Sequence, residues 1–534
     1  MKIVFYNGNI HTMERQGSVV NAMLVKDQYI EATGTSDEIF QLAGSKVKKI
    51  DLKGKTVIPG LNDSHMHLMS IGMSLEQVLL DKTKSIDELI DNCKEFIDDN
   101  PKMTWILGRG WNQSNYPGQI MPTRVDLDKI STEKPILLRR ACGHISVANT
   151  KALELAGLMN KPVEQIVGGH IDLDKEGVPI GILRERAAGL VANLIPKFEV
   201  DDFKRHIIKG SELAISYGLT SVQSDDLGSP DGMEKRLEAY QKALEEGLKL
   251  RVNHQIRLSE PKEIDEYLKI KQDYKFPDNT VTYGPLKLMT DGSLGGRTAY
   301  LHAPYSDDYS TCGVSIMTQK EIDKMYEYGH QKGLQLSAHA IGDRAMQKLL
   351  NAFKMVLKGD KTARPRIIHA QLTNWHILEQ MQEMGVVCDI QPIFVPTDMK
   401  ILENRIGKAR ASQSYVWKTM RDMGIHTAGG SDSPVESCNP ILGLAAAVTR
   451  TDLEGNPLGG YMPDEKLTVY EAIDLFTNGS AFAEKTEDVK GSLVKGKLAD
   501  FVVLSDDIFN IEPQQIKDLK VEATYIGGEC VYNI

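Results

Sequence analysis

Short apolar runs, many of them β-branched, alternate with longer amphipathic stretches through the middle of this chain. The runs at 57–61, 219–223, 250–256, 282–289, 334–338, 366–368, 386–390 and 426–430 have the length and composition of buried strands. Stretches with helical periodicity lie between them, at 202–217, 232–246, 319–332, 344–357 and 374–384. Eight strands with helices between most of them predict an α/β fold, a (β/α)8 TIM-like barrel.

The two ends and one internal stretch depart from this rhythm. Residues 1–56 and 487–534 show short alternating strands broken by polar turns, and Gly527-Gly528 between two apolar runs predicts a hairpin. The expectation is one small β-sandwich domain composed of both termini. Residues 57–75 and 205–486 would form the barrel. Residues 76–204 hold a helix at 85–96, the stretch 105–111 and a strand at 135–140, and read as a large insertion after the first barrel strand that covers the barrel mouth.

Composition narrows the class. Among 534 residues, 41% are hydrophobic and 25% charged, which is ordinary for a globular protein. The net charge of -10 argues against a nucleic-acid surface and against an anionic membrane. No apolar run approaches the roughly 20 residues a bilayer span needs. The amino terminus, from Met1 to Gly8, reads as a strand and turn and not as a signal peptide. The six cysteines, Cys93, Cys142, Cys312, Cys388, Cys438 and Cys530, form no Cys-x-x-Cys pair, so a reducing cytoplasmic setting is expected.

Candidate chemistry gathers at the ends of the expected strands. Asp63-Ser64-His65-Met66-His67 follows the first apolar run, and side chains at i and i+2 of an extended backbone point the same way. Lys287 lies within the fourth strand amid apolar neighbours, His339 ends the fifth, His369 ends the sixth and Asp432 follows the eighth. Active sites of such barrels sit at the C-terminal face, built from several strand ends. Four imidazoles, a lysine and a carboxylate there predict a hydrolytic metal site, with zinc the favoured ion.

These residues resemble the amidohydrolase superfamily, and more narrowly its YtcJ-like, or amidohydrolase-3, branch. Lys287 in Lys-Leu-Met-Thr-Asp-Gly-Ser, Ala338-His339-Ala340, Ile368-His369-Ala370 and Gly430-Ser431-Asp432-Ser433-Pro434 carry the likeness. So do Gly110-Trp111-Asn112, the stretch 122–128, Gly143-His144, Gly181-Ile182-Leu183-Arg184-Glu185 and Gly496-Lys497-Leu498-Ala499-Asp500. The resemblance implies that His65, His67 and Asp432 hold one divalent metal. It implies that His339 and His369 hold a second where there is one, with Lys287 bridging as a carbamate. One ion or two stays open.

The implied reaction is hydrolysis of an amide or N-formyl C–N bond in a small molecule, with Asp432 as general base. Two alternatives stand beside it: a deaminase of an aminated heterocycle using the same site, and a metal-bearing protein without catalysis. His144 is a candidate to touch substrate or its oxyanion, or else a structural residue of the insertion. Trp111 either lines the pocket or packs the insertion, and Arg297 either binds a substrate carboxylate or fixes its loop. Partners are a small-molecule substrate and, because barrels of this kind often self-associate, a second copy of the chain.

Overall fold

The computed structural model describes residues 2–141, 144–159 and 168–534. Cys142 and Gly143, both singled out above, lie outside the described residues. Eight strands form one parallel sheet: β1 (Leu61–Met66), β2 (Leu219–Ser224), β3 (Arg251–Arg257), β4 (Val281–Met289), β5 (Leu336–Ala340), β6 (Arg366–His369), β7 (Val387–Ile390) and β8 (His426–Gly429). Each pairs with the next in chain order. The seam between β8 and β1 is bridged just past the strand ends, where the Asp432 N–H donates to the His65 carbonyl and the His67 N–H donates to the Ser433 carbonyl, both at 2.8 Å.

Seven of the expected strands fall where the apolar runs placed them, and the first is shifted. The run at 57–61 is divided between two sheets. Thr56–Pro59 pairs with Phe501–Leu504 and with Asn9–His11, and the barrel strand begins only at Leu61. The break at Pro59-Gly60 is where the chain passes from one sheet to the other.

The helices between the strands bury one apolar face against the barrel. Val200–Ser216 buries Ile207, Ala214 and Ile215, and Asp343–Leu357 buries Met346, Leu349, Leu350 and Phe353. Each of these side chains other than Ala214 contributes about 1.5–3 kcal/mol when fully withdrawn from water. Gln319–Gln331 starts at a capping box in which Thr318 and Glu321 satisfy each other's backbone N–H groups.

Both chain ends contribute to a six-stranded sheet, and strands of the first 51 residues alone form a four-stranded one. Ile3, Phe5, Met23, Val25, Val57, Leu493, Phe501, Val503 and Tyr525 share one core. The last hairpin turns on Gly527 and Gly528 at φ 58° and 77°, the two left-handed positions a type I′ turn requires.

Residues 73–199 form a separate compact unit. Among the described residues its sheet has six strands, with Ile106–Trp111 parallel to Ile136–Arg140 and the later strands antiparallel. Val78, Leu80, Leu89, Trp111, Leu127 and Leu138 fill its core. Among the described residues, no helix is long and apolar enough to cross a membrane. The five described cysteines are free thiols.

Candidate metal centre

β1 delivers two imidazoles to one place. His65 lies inside the strand and is 1% exposed, and His67 follows the strand's last residue. Asp432 lies just past β8 in left-handed backbone, at φ 55°, and His369 ends β6 at φ 78°. That conformation costs a non-glycine residue on the order of 1–2 kcal/mol, and such residues cluster at functional sites. Asp432 Oδ1 lies 3.3 Å from His65 Nε2 and 3.2 Å from His67 Nε2.

The outer nitrogen of each ring is tied down. His65 Nδ1–H donates to Gln255 Oε1 at 2.7 Å, and His67 Nδ1–H donates to the Asp225 carbonyl at 3.2 Å. His369 Nδ1–H donates to Gln391 Oε1 at 2.8 Å, and His339 Nε2–H donates to the Gly292 carbonyl at 3.0 Å. Each bond sets the tautomer, so the other nitrogen of each ring carries a lone pair. The lone pairs of His65 and His67 therefore face an oxygen of Asp432, with the three acceptor atoms within 4.8 Å of one another. Acceptors turned toward one another repel, and a cation among them removes the repulsion. The donor set fits a divalent metal.

Lys287 is 2% exposed. Its Nζ lies 3.2 Å from His65 Nε2 and donates to Asp225 Oδ2 at 2.8 Å. Asp225 follows β2 directly, so the lysine's charge is met within the barrel by a carboxylate from the second strand end. His339 and His369 stand as a further pair, with ring centroids 4.5 Å apart.

With no cation present, a proton shared between Asp432 and the facing imidazoles relieves the same crowding. Burial, assisted by Lys287, pushes His65 down to about 4. Burial and neighbouring His339 hold His369 well below the usual imidazole range. Burial works against charge on Asp432, yet the facing His65 and His67 hold its carboxyl well below the carboxylate range. At His67 burial is again outweighed, here by Asp432, and the net direction is upward. Burial pushes Asp63 up to about 7, although its Oδ1 accepts the His65 N–H at 3.0 Å.

The other candidates have partners of their own. His144 belongs to the 73–199 unit, is exposed, and pairs with Glu185 at 3.1 Å. Trp111 is fully buried in that unit's core and its indole N–H donates to the Leu138 carbonyl at 2.9 Å, so packing accounts for it. Arg297 grips Asp307 through Nε at 3.1 Å and Nη2 at 2.9 Å, which fixes its loop. Asp225, Gln255, Gln391 and Asp291 escaped the sequence reading. Asp225 obeys the strand-end rule that found the histidines. Asp291 follows β4 closely and binds the N–H groups of Ile341 and Gly342 at 3.1 and 2.7 Å, anchoring the loop after His339.

Comparison with known proteins places this centre in a family. Residues 48–532 match the model of the Amidohydrolase family, Amidohydro_3. The chain is 34% identical over 539 residues to "Putative amidohydrolase YtcJ" of Bacillus subtilis (strain 168), covering 100% of this chain and 99% of that protein. It is 25% identical over 553 residues to "N-substituted formamide deformylase" of Arthrobacter pascens, covering 99% and 98%. The crystal structure of an uncharacterized metal-dependent hydrolase from Pyrococcus furiosus aligns with a TM-score of 0.78 at 32% identity, covering 96% of this chain and 100% of that one. With a family match along nearly the whole length, and ligand-type side chains at the strand ends of a parallel eight-stranded sheet, the chain belongs to the amidohydrolase family.

Proposed function

We propose that this protein is a metal-dependent hydrolase that cleaves a C–N bond of the amide or N-formyl type in a small molecule. The observation that carries the proposal is the mutual approach of the His65 and His67 lone pairs and the Asp432 carboxylate. These three would hold the ion, and imidazole with carboxylate suits zinc. Such an ion supplies Lewis acidity, polarising a carbonyl and lowering the pKa of water from ~15.7 toward ~7.

The chain's own residues do the rest. Asp432 takes the proton of the attacking water and returns it to the leaving nitrogen, so the amine departs neutral. Gln255 and the Asp225 carbonyl keep the two imidazoles from turning. His339 and His369 would hold a second ion where there is one, and Lys287 would then carry a carbamate. Asp225, at 2.8 Å from Nζ, compensates an ammonium there, so a one-ion site requires no carbamate. The N-formyl class is favoured by the formamide deformylase among the relatives.

Metal content by elemental mass spectrometry, on protein purified without chelator, is the first test. One or two zinc equivalents per chain, with amine released from a panel of amides and formamides, is the expected result. Ammonia released only from aminated heterocycles would replace the proposal with a deaminase. Protein that refuses added metal while folding normally would overturn it.

A further inference from the structure

Below the centre, two fully buried side chains form an ion pair that does not touch the ligands themselves. Arg366, the first residue of β6, donates through Nε and Nη2 to both oxygens of Asp389 on β7, each at 2.9 Å. Both side chains are 0% exposed. A barrel interior is ordinarily filled by branched apolar residues, so a bidentate pair at this depth asks for a reason.

The hydrogen bonds around the pair supply one. Arg366 Nη2 also donates to the Ser64 carbonyl at 3.1 Å. Gln255 Nε2 donates to that same carbonyl at 2.9 Å, and its Oε1 receives His65 Nδ1–H. On the other side, Gln391 Nε2 donates to the Asp389 carbonyl at 3.0 Å, and its Oε1 receives His369 Nδ1–H. One continuous path thus runs His65, Gln255, Ser64 carbonyl, Arg366, Asp389, Gln391, His369. It crosses strands β3, β1, β6 and β7, and both of its ends are imidazoles of the candidate centre. The same device, an amide whose oxygen holds a histidine and whose nitrogen holds a backbone carbonyl, appears at each end.

We propose that the Arg366–Asp389 ion pair, with Gln255 and Gln391, is a positioning bracket that sets the orientation of His65 and His369 relative to each other. This rests on the metal-site reading above. The four are positioning residues, since none touches the reacting atoms. A buried guanidinium held bidentately has little rotational freedom, so it makes a stiff base for two amides. Both amides are neutral, so they fix the tautomers of His65 and His369 without placing further negative charge beside those rings.

The test measures zinc affinity of the full chain by competition with a chromogenic chelator. Wild type comes first: no zinc binding there removes the metal reading and the bracket with it. Given wild-type binding, Q255L and Q391L are each expected to weaken zinc about 10–100-fold, the range for lost outer hydrogen bonds on ligating histidines. D389N is expected to weaken it comparably. In the Q255L/Q391L background D389N is expected to cost nothing further, because both paths are already cut. Q255E, which still accepts from His65 but no longer donates to the Ser64 carbonyl, is expected to recover only part of the affinity lost in Q255L. Thermal unfolding of each metal-free variant accompanies the titrations, because D389N leaves the buried Arg366 guanidinium without its carboxylate; Q255L and Q391L keep the ion pair intact and carry the test if D389N does not fold. Wild-type affinity in folded Q255L and Q391L would overturn the proposal, as would a full additive loss from D389N in the double variant.

Discussion

Asp432 and His65 meet twice. The Asp432 backbone N–H donates to the His65 carbonyl at 2.8 Å, and the Asp432 carboxylate lies 3.3 Å from the His65 ring nitrogen. The first contact bridges the seam of the barrel and the second builds the candidate centre. A metal held by these two side chains would therefore also tie the first strand to the last.

Asp432→Asn separates charge from shape. It would remove the proposed base and one anionic atom offered to the ion while keeping the side chain's size. Turnover on any substrate found is expected to fall at least about 100-fold, the low end for general base catalysis. Zinc content measured on the same sample distinguishes a lost base from a lost ion, and full turnover with retained metal would rule out the base role.

Asp225→Asn strands an ammonium. Lys287 is 2% exposed and Asp225 is its carboxylate partner at 2.8 Å. Breaking a buried pair from one side costs about 3–5 kcal/mol. The guanidinium unfolding midpoint of chelator-treated protein is expected to drop accordingly. Adding Lys287→Met to Asp225→Asn should restore much of the loss, because no buried charge then remains unpaired.

The metal-free protein should weaken as acid is added. His65 is depressed to about 4 in the folded state, against an ordinary value near 6.5. Between those two pH values the unfolded chain binds the proton more readily, so stability present at pH 7 is lost as pH falls from 6.5 toward 4. His65 alone accounts for about 3 kcal/mol. Buried His254, pushed down to about 3, and His369 act in the same direction. His67, which is raised, opposes them, contributing stability at low pH that is lost as pH rises. Urea melts at pH 7.5, 6 and 5 read the slope, and a flat profile would contradict the buried neutral imidazoles.

Gly430→Ala strikes the seam itself. An added Cβ would lie 2.8 Å from the His65 nitrogen and 3.0 Å from Asp63 Oδ1. Neither backbone nor buried carboxylate can move aside cheaply, so a loss of about 1–3 kcal/mol is expected from overpacking. Weaker zinc binding should accompany it, because the clash displaces β1 from the Asp432 loop. Thermal melts with and without zinc check both effects.

Much of the centre was legible because barrels place their chemistry at strand ends, and strand ends can be read from apolar periodicity. His65, His67, His339, His369 and Asp432 announced themselves by following an apolar run, and Lys287 by interrupting one. The partners that orient them did not. Gln255 looks like any polar residue within a strand, and its meaning depends on His65, 190 positions away. Arg297 and Trp111 illustrate the converse. Their residue types suit a pocket, yet a nearby carboxylate claims the first and a core claims the second.

The chain's own pattern determined which elements form and which residue types reach the strand ends, because both follow from local periodicity and burial. Only the tertiary structure decided that Thr56–Pro59 leaves the barrel, since its partner Phe501–Leu504 arrives from the opposite end of the chain. It alone decided the tautomers, the pairing of Lys287 with Asp225 and the bracket beneath the histidines. Each of these is a matter of where a lone pair or an N–H points. That direction is set by groups brought together from different strands, between 22 and 302 positions apart, and linear spacing carries no record of it.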